Sequence, residues 1–133
     1  LVAEDNELNR EIITQVLRQL GAQVLAAANG MEAVELFSAA PPYSIDVILM
    51  DMQMPEMDGC QAAEAIRHLD RGDAKSVPII AVTANAFAED IDRTSKAGMN
   101  DHISKPIDSE ILRQTMQKLI TEWETRRNTP SQV

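Results

Sequence analysis

Apolar residues fall along this chain in two alternating rhythms. Short runs at Leu1 to Ala3, Gln23 to Ala27, Asp46 to Met50, Pro78 to Val82 and His102 to Ser104 have the length and composition of buried strands. Between them, apolar residues recur at helical spacing. Ile12, Ile13, Val16, Leu17 and Leu20 predict a first helix that Gly21 stops, and Met31, Val34 and Phe37 a second that ends before Pro41-Pro42. Ala62, Ala63, Ile66 and Leu69 predict a third, opened by Asp58-Gly59. A fourth spans about Ala86 to Ala97 before Gly98, and a fifth runs from Asp108 through Ile111, Leu112, Met116, Leu119 and Ile120 to Trp123, with Asp108 or Ser109 as its cap. Beyond Trp123 the sequence turns polar, "ETRRNTPSQV", so residues 1–123 read as the domain and 124–133 as a tail or linker.

Five successive strand-then-helix units predict an α/β fold, a single doubly wound parallel sheet whose ligand crevice lies outside the carboxyl ends of the strands. That geometry explains an oddity in "LMDMQMPEMDG", where the apolar third strand runs straight into the charge of Asp51. An unpaired carboxylate in a dry core costs several kcal/mol, so Asp51 belongs at the mouth of the strand, among polar or metal partners. Other polar residues fall at equivalent places: Glu4 and Asp5 after the first strand, Thr83 after the fourth, Lys105 after the fifth. Glu4, Asp5 and Asp51 together repel one another unless a cation neutralises them, and an all-oxygen set with few protein ligands suits Mg²⁺. Lys105 is placed to pair with Asp51, and Thr83 to donate a hydroxyl.

Composition narrows the possible partners. The 133 residues carry 12 Lys plus Arg against 21 Asp plus Glu, a net charge of −9, which argues against direct electrostatic binding of nucleic acid or of an anionic membrane surface. The single Cys60 rules out an internal disulfide framework and suits a reducing, cytoplasmic setting, with the thiol a small packing residue. No stretch approaches a membrane span, and no signal-peptide pattern is present. The chain starts at Leu1 without Met, inside an apolar segment, which suggests an excised piece of a longer protein; a membrane anchor in the parent chain is compatible with a cytoplasmic domain.

With these residues in hand, the chain resembles the receiver domains of two-component response regulators. The motifs "AEDN", "LMDMQMPEMDG", "AVTANA" and "GMNDHISKPID" match in order and spacing, and "TANAFAED" with "GMNDHISKPI" resembles receivers attached to hybrid histidine kinases in particular. The resemblance implies a flavodoxin-like sheet of strand order 2-1-3-4-5. It implies Asp51 as phosphoacceptor, Asp5 and Asp51 as side-chain Mg²⁺ ligands, Glu4 acting through water, and the main-chain carbonyl of Gln53 completing the protein ligands. Thr83 would bind a phosphoryl oxygen, Lys105 would pair with the phosphorylated site, and Pro106 would follow a cis peptide. His102 stands where the family usually has Tyr or Phe, so it either replaces the aromatic switch residue or is a plain surface histidine. His68 is expected to face solvent.

The implied activity is transfer of a phosphoryl group from phosphohistidine to Asp51, followed by a conformational switch. The implied partners are the phosphohistidine domain of a histidine kinase, a histidine phosphotransfer domain, or both. Within the family, the alternative is the input domain of a stand-alone or DNA-binding regulator. Outside it, a flavodoxin-like small-ligand binder would want a neutral phosphate loop after the first strand, where this chain has "EDNELN". A metal-dependent phosphatase would commonly carry a second carboxylate at position 53, where Gln53 cannot exchange protons.

The first helix carries one more expectation. From Leu8 to Leu17, through Ile12, Val16, Leu20 and Ile13, its apolar face sweeps about 180°, wider than the roughly 100° stripe that packing on a sheet requires. The edges, Leu8 and Leu17, are candidates for docking a histidine-bearing helical bundle; the alternative is a helix buried on both flanks.

Overall fold

The computed structural model describes residues 1–41, 44–54, 57–70, 72–83, 88–105 and 107–128. Five strands, β1 (Val2–Ala3), β2 (Ala26–Ala27), β3 (Ile48–Asp51), β4 (Ile79–Thr83) and β5 (Asp101–Ser104), pair in parallel in the order β2-β1-β3-β4-β5. Five helices connect and follow them: α1 (Glu7–Gln19), α2 (Gly30–Ala39), α3 (Gly59–Arg67), α4 (Ala88–Lys96) and α5 (Ser109–Asn128). A 3-10 turn, Gly72–Lys75, lies between α3 and β4.

Because side chains alternate across a strand, the continuous apolar runs of β3 and β4 feed two cores at once. Ile48, Met50, Ile79 and Ala81 point to one face, where they meet Phe37 of α2, Ala62, Ala63 and Ile66 of α3, and Ala97 and Met99 after α4. Leu49, Ile80 and Val82 point to the other, against Ile13 and Leu17 of α1 and Leu112 and Leu119 of α5. The doubly wound expectation is met, with every residue of β3 and β4 buried.

Helix ends follow local chemistry. Gly21, at φ 90°, takes the left-handed conformation that closes α1, with its N–H donating to Arg18 O at 3.0 Å and the next N–H, of Ala22, to Leu17 O at 3.0 Å. Asp58 caps α3 in a reciprocal box with Gln61. At α5 the cap is Asp108, whose Oδ1 accepts from the N–H groups of Glu110 and Ile111 at 2.9 and 3.1 Å. Asn6, which the apolar pattern did not single out, caps α1 through a 2.9 Å bond from Asn9 N to its Oδ1.

Three differences from the sequence-based expectations have physical causes. The second strand is paired only at Ala26–Ala27, since this edge strand has one neighbour and β1 offers it two residues. The fifth helix continues past Trp123 to Asn128, because a polar stretch of Glu, Thr and Arg without Gly or Pro does not stop a helix. Leu17, one of the two edges of α1 named as candidates for exposure, is 4% exposed and packed among Val2, Leu49 and Leu112, whereas Leu8 and Ile12 are 65% and 50% exposed. The helix is rotated so that the Leu8 edge faces outward. Residues 84–87, at the expected start of the fourth helix, Pro42 and the end of the polar tail lie outside the described residues.

Candidate functional site

The carboxyl ends of β1, β3, β4 and β5 bring Glu4, Asp5, Asp51, Thr83 and Lys105 to one edge of the sheet. β1 and β3 are adjacent, with Ala3 opposite Met50, so Glu4 and Asp51 leave the sheet side by side. Glu4 and Asp51 are 1% and 3% exposed, while Asp5 is open to solvent. One carboxylate oxygen from each of the three lies within 4.8 Å of the others. Lys105, just after β5, reaches across with Nζ 3.2 Å from Asp51 Oδ2 and 3.5 Å from Glu4 Oε2.

Backbone contacts hold this arrangement. The N–H of Gln53 donates to Asp51 Oδ1 at 3.2 Å, and Lys105 N donates to Thr83 O at 2.8 Å, which ties the lysine to the end of β4. Thr83 is buried opposite Ser104. Gly59 admits the start of α3 against β3: a Cβ there would collide with the Asp51 carbonyl oxygen and stand 3.0 Å from Met52 Cα. Its N–H donates to Met52 O at 3.2 Å.

The charges are only partly balanced. Burial above all, with the neighbouring Asp51 carboxylate, pushes the Glu4 carboxyl up to about 7, against the pull of Lys105 and Asn9. Glu4 Oε2 is buried and accepts no hydrogen bond from the described residues. Such an orphaned oxygen, in a set of three hard carboxylates with one lysine, fits a hard divalent cation, and Mg²⁺ is the ion that takes few protein ligands and keeps waters.

The other singled-out residues fall as follows. His102 lies within β5, part-buried, with Nδ1 3.8 Å from Asp101 Oδ1. Pro106 lies outside the described residues. His68 is exposed at the end of α3, as expected, its Nδ1 2.7 Å from Glu64 O. Cys60 is buried in the core beside Met52, as a packing residue. Two residues around Glu4 escaped the sequence reading. Asn9 Nδ2 approaches Glu4 Oε1 at 3.4 Å, and Arg10 donates to Glu4 O at 2.9 Å. The signal was their position in the first turn after an acidic strand end, which polar surface residues of any helix share.

An open parallel α/β sheet with an acidic, lysine-bridged cleft at its carboxyl edge defines the class of domain. The chain belongs to the response regulator receiver domain family, whose model matches residues 1–117. It is 39% identical over 119 residues to the sensor protein GacS of Pseudomonas syringae pv. syringae, covering 89% of this chain and 13% of that protein. It is 35% identical over 125 residues to hybrid signal transduction histidine kinase I of Dictyostelium discoideum, covering 92% of this chain and 7% of that one. The chain thus spans only a small fraction of these relatives.

Among solved structures, the receiver domain of sensor histidine kinase PA1611 from Pseudomonas aeruginosa PAO1 aligns with a TM-score of 0.81 at 38% identity, over 90% of this chain and 94% of that one. That structure holds a magnesium ion in its active-site cleft. The chemotaxis protein CheY4 of Vibrio cholerae also aligns at a TM-score of 0.81, with 28% identity, over 89% of this chain and 94% of that one. Among the described residues, no helix is long and apolar enough to cross a membrane.

Proposed function

We propose that this receiver domain accepts a phosphoryl group from phosphohistidine onto Asp51, within a hybrid sensor kinase or phosphorelay. The observation that carries the reading is the convergence of Asp51, Glu4, Asp5 and Lys105, with Lys105 Nζ 3.2 Å from Asp51 Oδ2. An Asp51 carboxylate oxygen forms the new O–P bond as the P–N bond of phosphohistidine breaks, and the departing imidazole nitrogen takes up a proton from solvent.

Phosphoryl transfer asks for positioning and for positive charge at the equatorial oxygens more than for a strong nucleophile. Lys105 supplies one charge on the β5 side, and Thr83 supplies a hydroxyl donor from β4. Asp5, Asp51 and the main-chain carbonyl of Gln53, with Glu4 acting through water, would hold Mg²⁺, which when bound neutralises charge on the phosphoryl oxygens. The Gln53 N–H, now on Asp51 Oδ1, steadies the attacking carboxylate.

The new dianion draws Thr83 and Lys105 toward it. Because β4 leads to α4 and Lys105 follows β5, this pull biases the segment from Thr83 through α4 to His102. The donor is the phosphohistidine domain of a kinase or a phosphotransfer domain, met on the cytoplasmic side. The hybrid-kinase setting draws support from the similarity to GacS and to the Dictyostelium hybrid kinase.

Incubation with acetyl phosphate and Mg²⁺ is expected to add one hydrolytically labile phosphoryl group, read by intact mass, and Asp51→Asn is expected to abolish it, because an amide is not an anionic nucleophile. Equal labelling of the variant would overturn the assignment of Asp51.

A further inference from the structure

Glu4 is gripped from the first turn of α1 at two points. Arg10 donates Nη1 to the Glu4 main-chain oxygen at 2.9 Å, which fixes the backbone where β1 ends. Asn9 offers its side-chain amide to Glu4 Oε1 at 3.4 Å. The turn that carries both is itself pinned, since Asn6 Oδ1 accepts from Asn9 N at 2.9 Å. With Oε1 engaged by Asn9, the other oxygen, Oε2, is left facing Lys105 at 3.5 Å and is buried with no hydrogen bond among the described residues.

We propose that Asn9 is a positioning residue that orients the Glu4 carboxylate so that Oε2 is presented to the cation held at Glu4, Asp5 and Asp51. This rests on the reading of that acidic set as a divalent-cation site. The physical reason is rotational. A carboxylate on a two-carbon stem swings freely unless one oxygen is tethered, and outer partners of metal-binding carboxylates set both orientation and affinity. Lys105 cannot supply this tether, because its ammonium sits on the Oε2 side and is shared with Asp51. Only Asn9 is seen to donate a side-chain hydrogen bond to Oε1 among the described residues.

The helix cap thereby gains a chemical role. Asn6 sets the main chain of Asn9, Asn9 sets Glu4, and the order of the α1 terminus is transmitted to the acidic set. A purely structural residue at this exposed position would leave ion affinity untouched when replaced.

Titration with MgCl₂, followed by amide chemical shifts and by calorimetry, tests the proposal on the whole chain. Asn9→Ala is expected to weaken Mg²⁺ affinity by about tenfold, the lower end of what loss of an outer partner costs, with the melting temperature unchanged. Asn9→Gln, which keeps the amide donor, is expected to recover part of that loss. Asn9→Ser gives the same comparison should the Ala variant be poorly folded. Unchanged affinity in Asn9→Ala and Asn9→Ser, with Asp5→Ala clearly weakened, would overturn the role of Asn9 and leave the site intact. Undiminished affinity in Asp5→Ala would instead overturn the cation site itself.

Discussion

Lys105 Nζ bridges two buried carboxylates, 3.2 Å from Asp51 Oδ2 and 3.5 Å from Glu4 Oε2. Neither acid has enough solvent around it to carry its charge cheaply, and one ammonium serves both. The pair is therefore part of the stability of the fold as well as of its chemistry.

Replacing that ammonium tests the coupling. Lys105→Met is expected to lower the stability of the metal-free protein by about 2 kcal/mol, below the 3–5 typical of a fully buried pair because the lysine side chain is 29% exposed. Denaturant unfolding with EDTA reads the loss, and excess Mg²⁺ is expected to restore part of it. Acetyl phosphate labelling of the same variant should be slowed by an order of magnitude or more.

A pH dependence follows from Glu4, whose carboxyl is pushed up to about 7 from the ordinary 4.5, chiefly by burial. Between those values the folded chain holds a proton that the unfolded chain releases. Its contribution is thus fully present below pH 4.5 and is lost as pH rises through 7, by at most about 3 kcal/mol. In EDTA, the stability difference between wild type and Glu4→Gln should shift in favour of the variant from pH 5 to pH 8. Mg²⁺ is expected to stabilise the wild type more at pH 8 than at pH 5. A flat difference across that range would show that Glu4 is ionised throughout.

Gly59 supplies a steric prediction. Any Cβ there meets the Asp51 carbonyl and the Met52 main chain, neither of which is a flexible side-chain end. Gly59→Ala is expected to cost about 1–3 kcal/mol by thermal or denaturant unfolding and to slow labelling of Asp51, since the end of β3 must shift.

The two edges of α1 should respond oppositely. Leu8, 65% exposed, is expected to tolerate Glu, with stability within about 0.5 kcal/mol, while transfer from a phosphohistidine partner slows and acetyl phosphate labelling is unchanged. Leu17, 4% exposed in the core, is expected to lose several kcal/mol as Leu17→Glu and to fail with both donors. Parallel kinetics with the two donors distinguish a docking surface from a damaged fold.

Strand and helix identities were legible in the sequence because they rest on local spacing and local punctuation. The apolar runs around Ile48 and Ile80, the stop at Gly21 and the caps at Asp58 and Asp108 act within a few residues of themselves. From the alternation of these elements follows a parallel sheet with its working edge at the carboxyl ends, and thus the place of Asp51. Glu4, Asp5, Thr83 and Lys105 were legible for the same reason, each falling at the carboxyl end of a predicted strand.

Tertiary structure alone decided what depends on contact between distant parts of the chain. The periodicity of α1 drew an apolar arc but could not say which edge its neighbours would cover; packing against Leu49 and Leu112 buried Leu17 and left Leu8 outside. Arg67 is a second case: in sequence a helix-end cation, it binds Gly98 O at 2.7 Å and Asn100 Oδ1 at 2.9 Å across more than thirty residues. Asn9 and Glu4 are five residues apart, yet their meeting needs the strand to end and the helix to turn back at one fixed angle. Spacing along a chain encodes which groups share a face, whereas the distance between faces is set only when the cores on both sides of the sheet close.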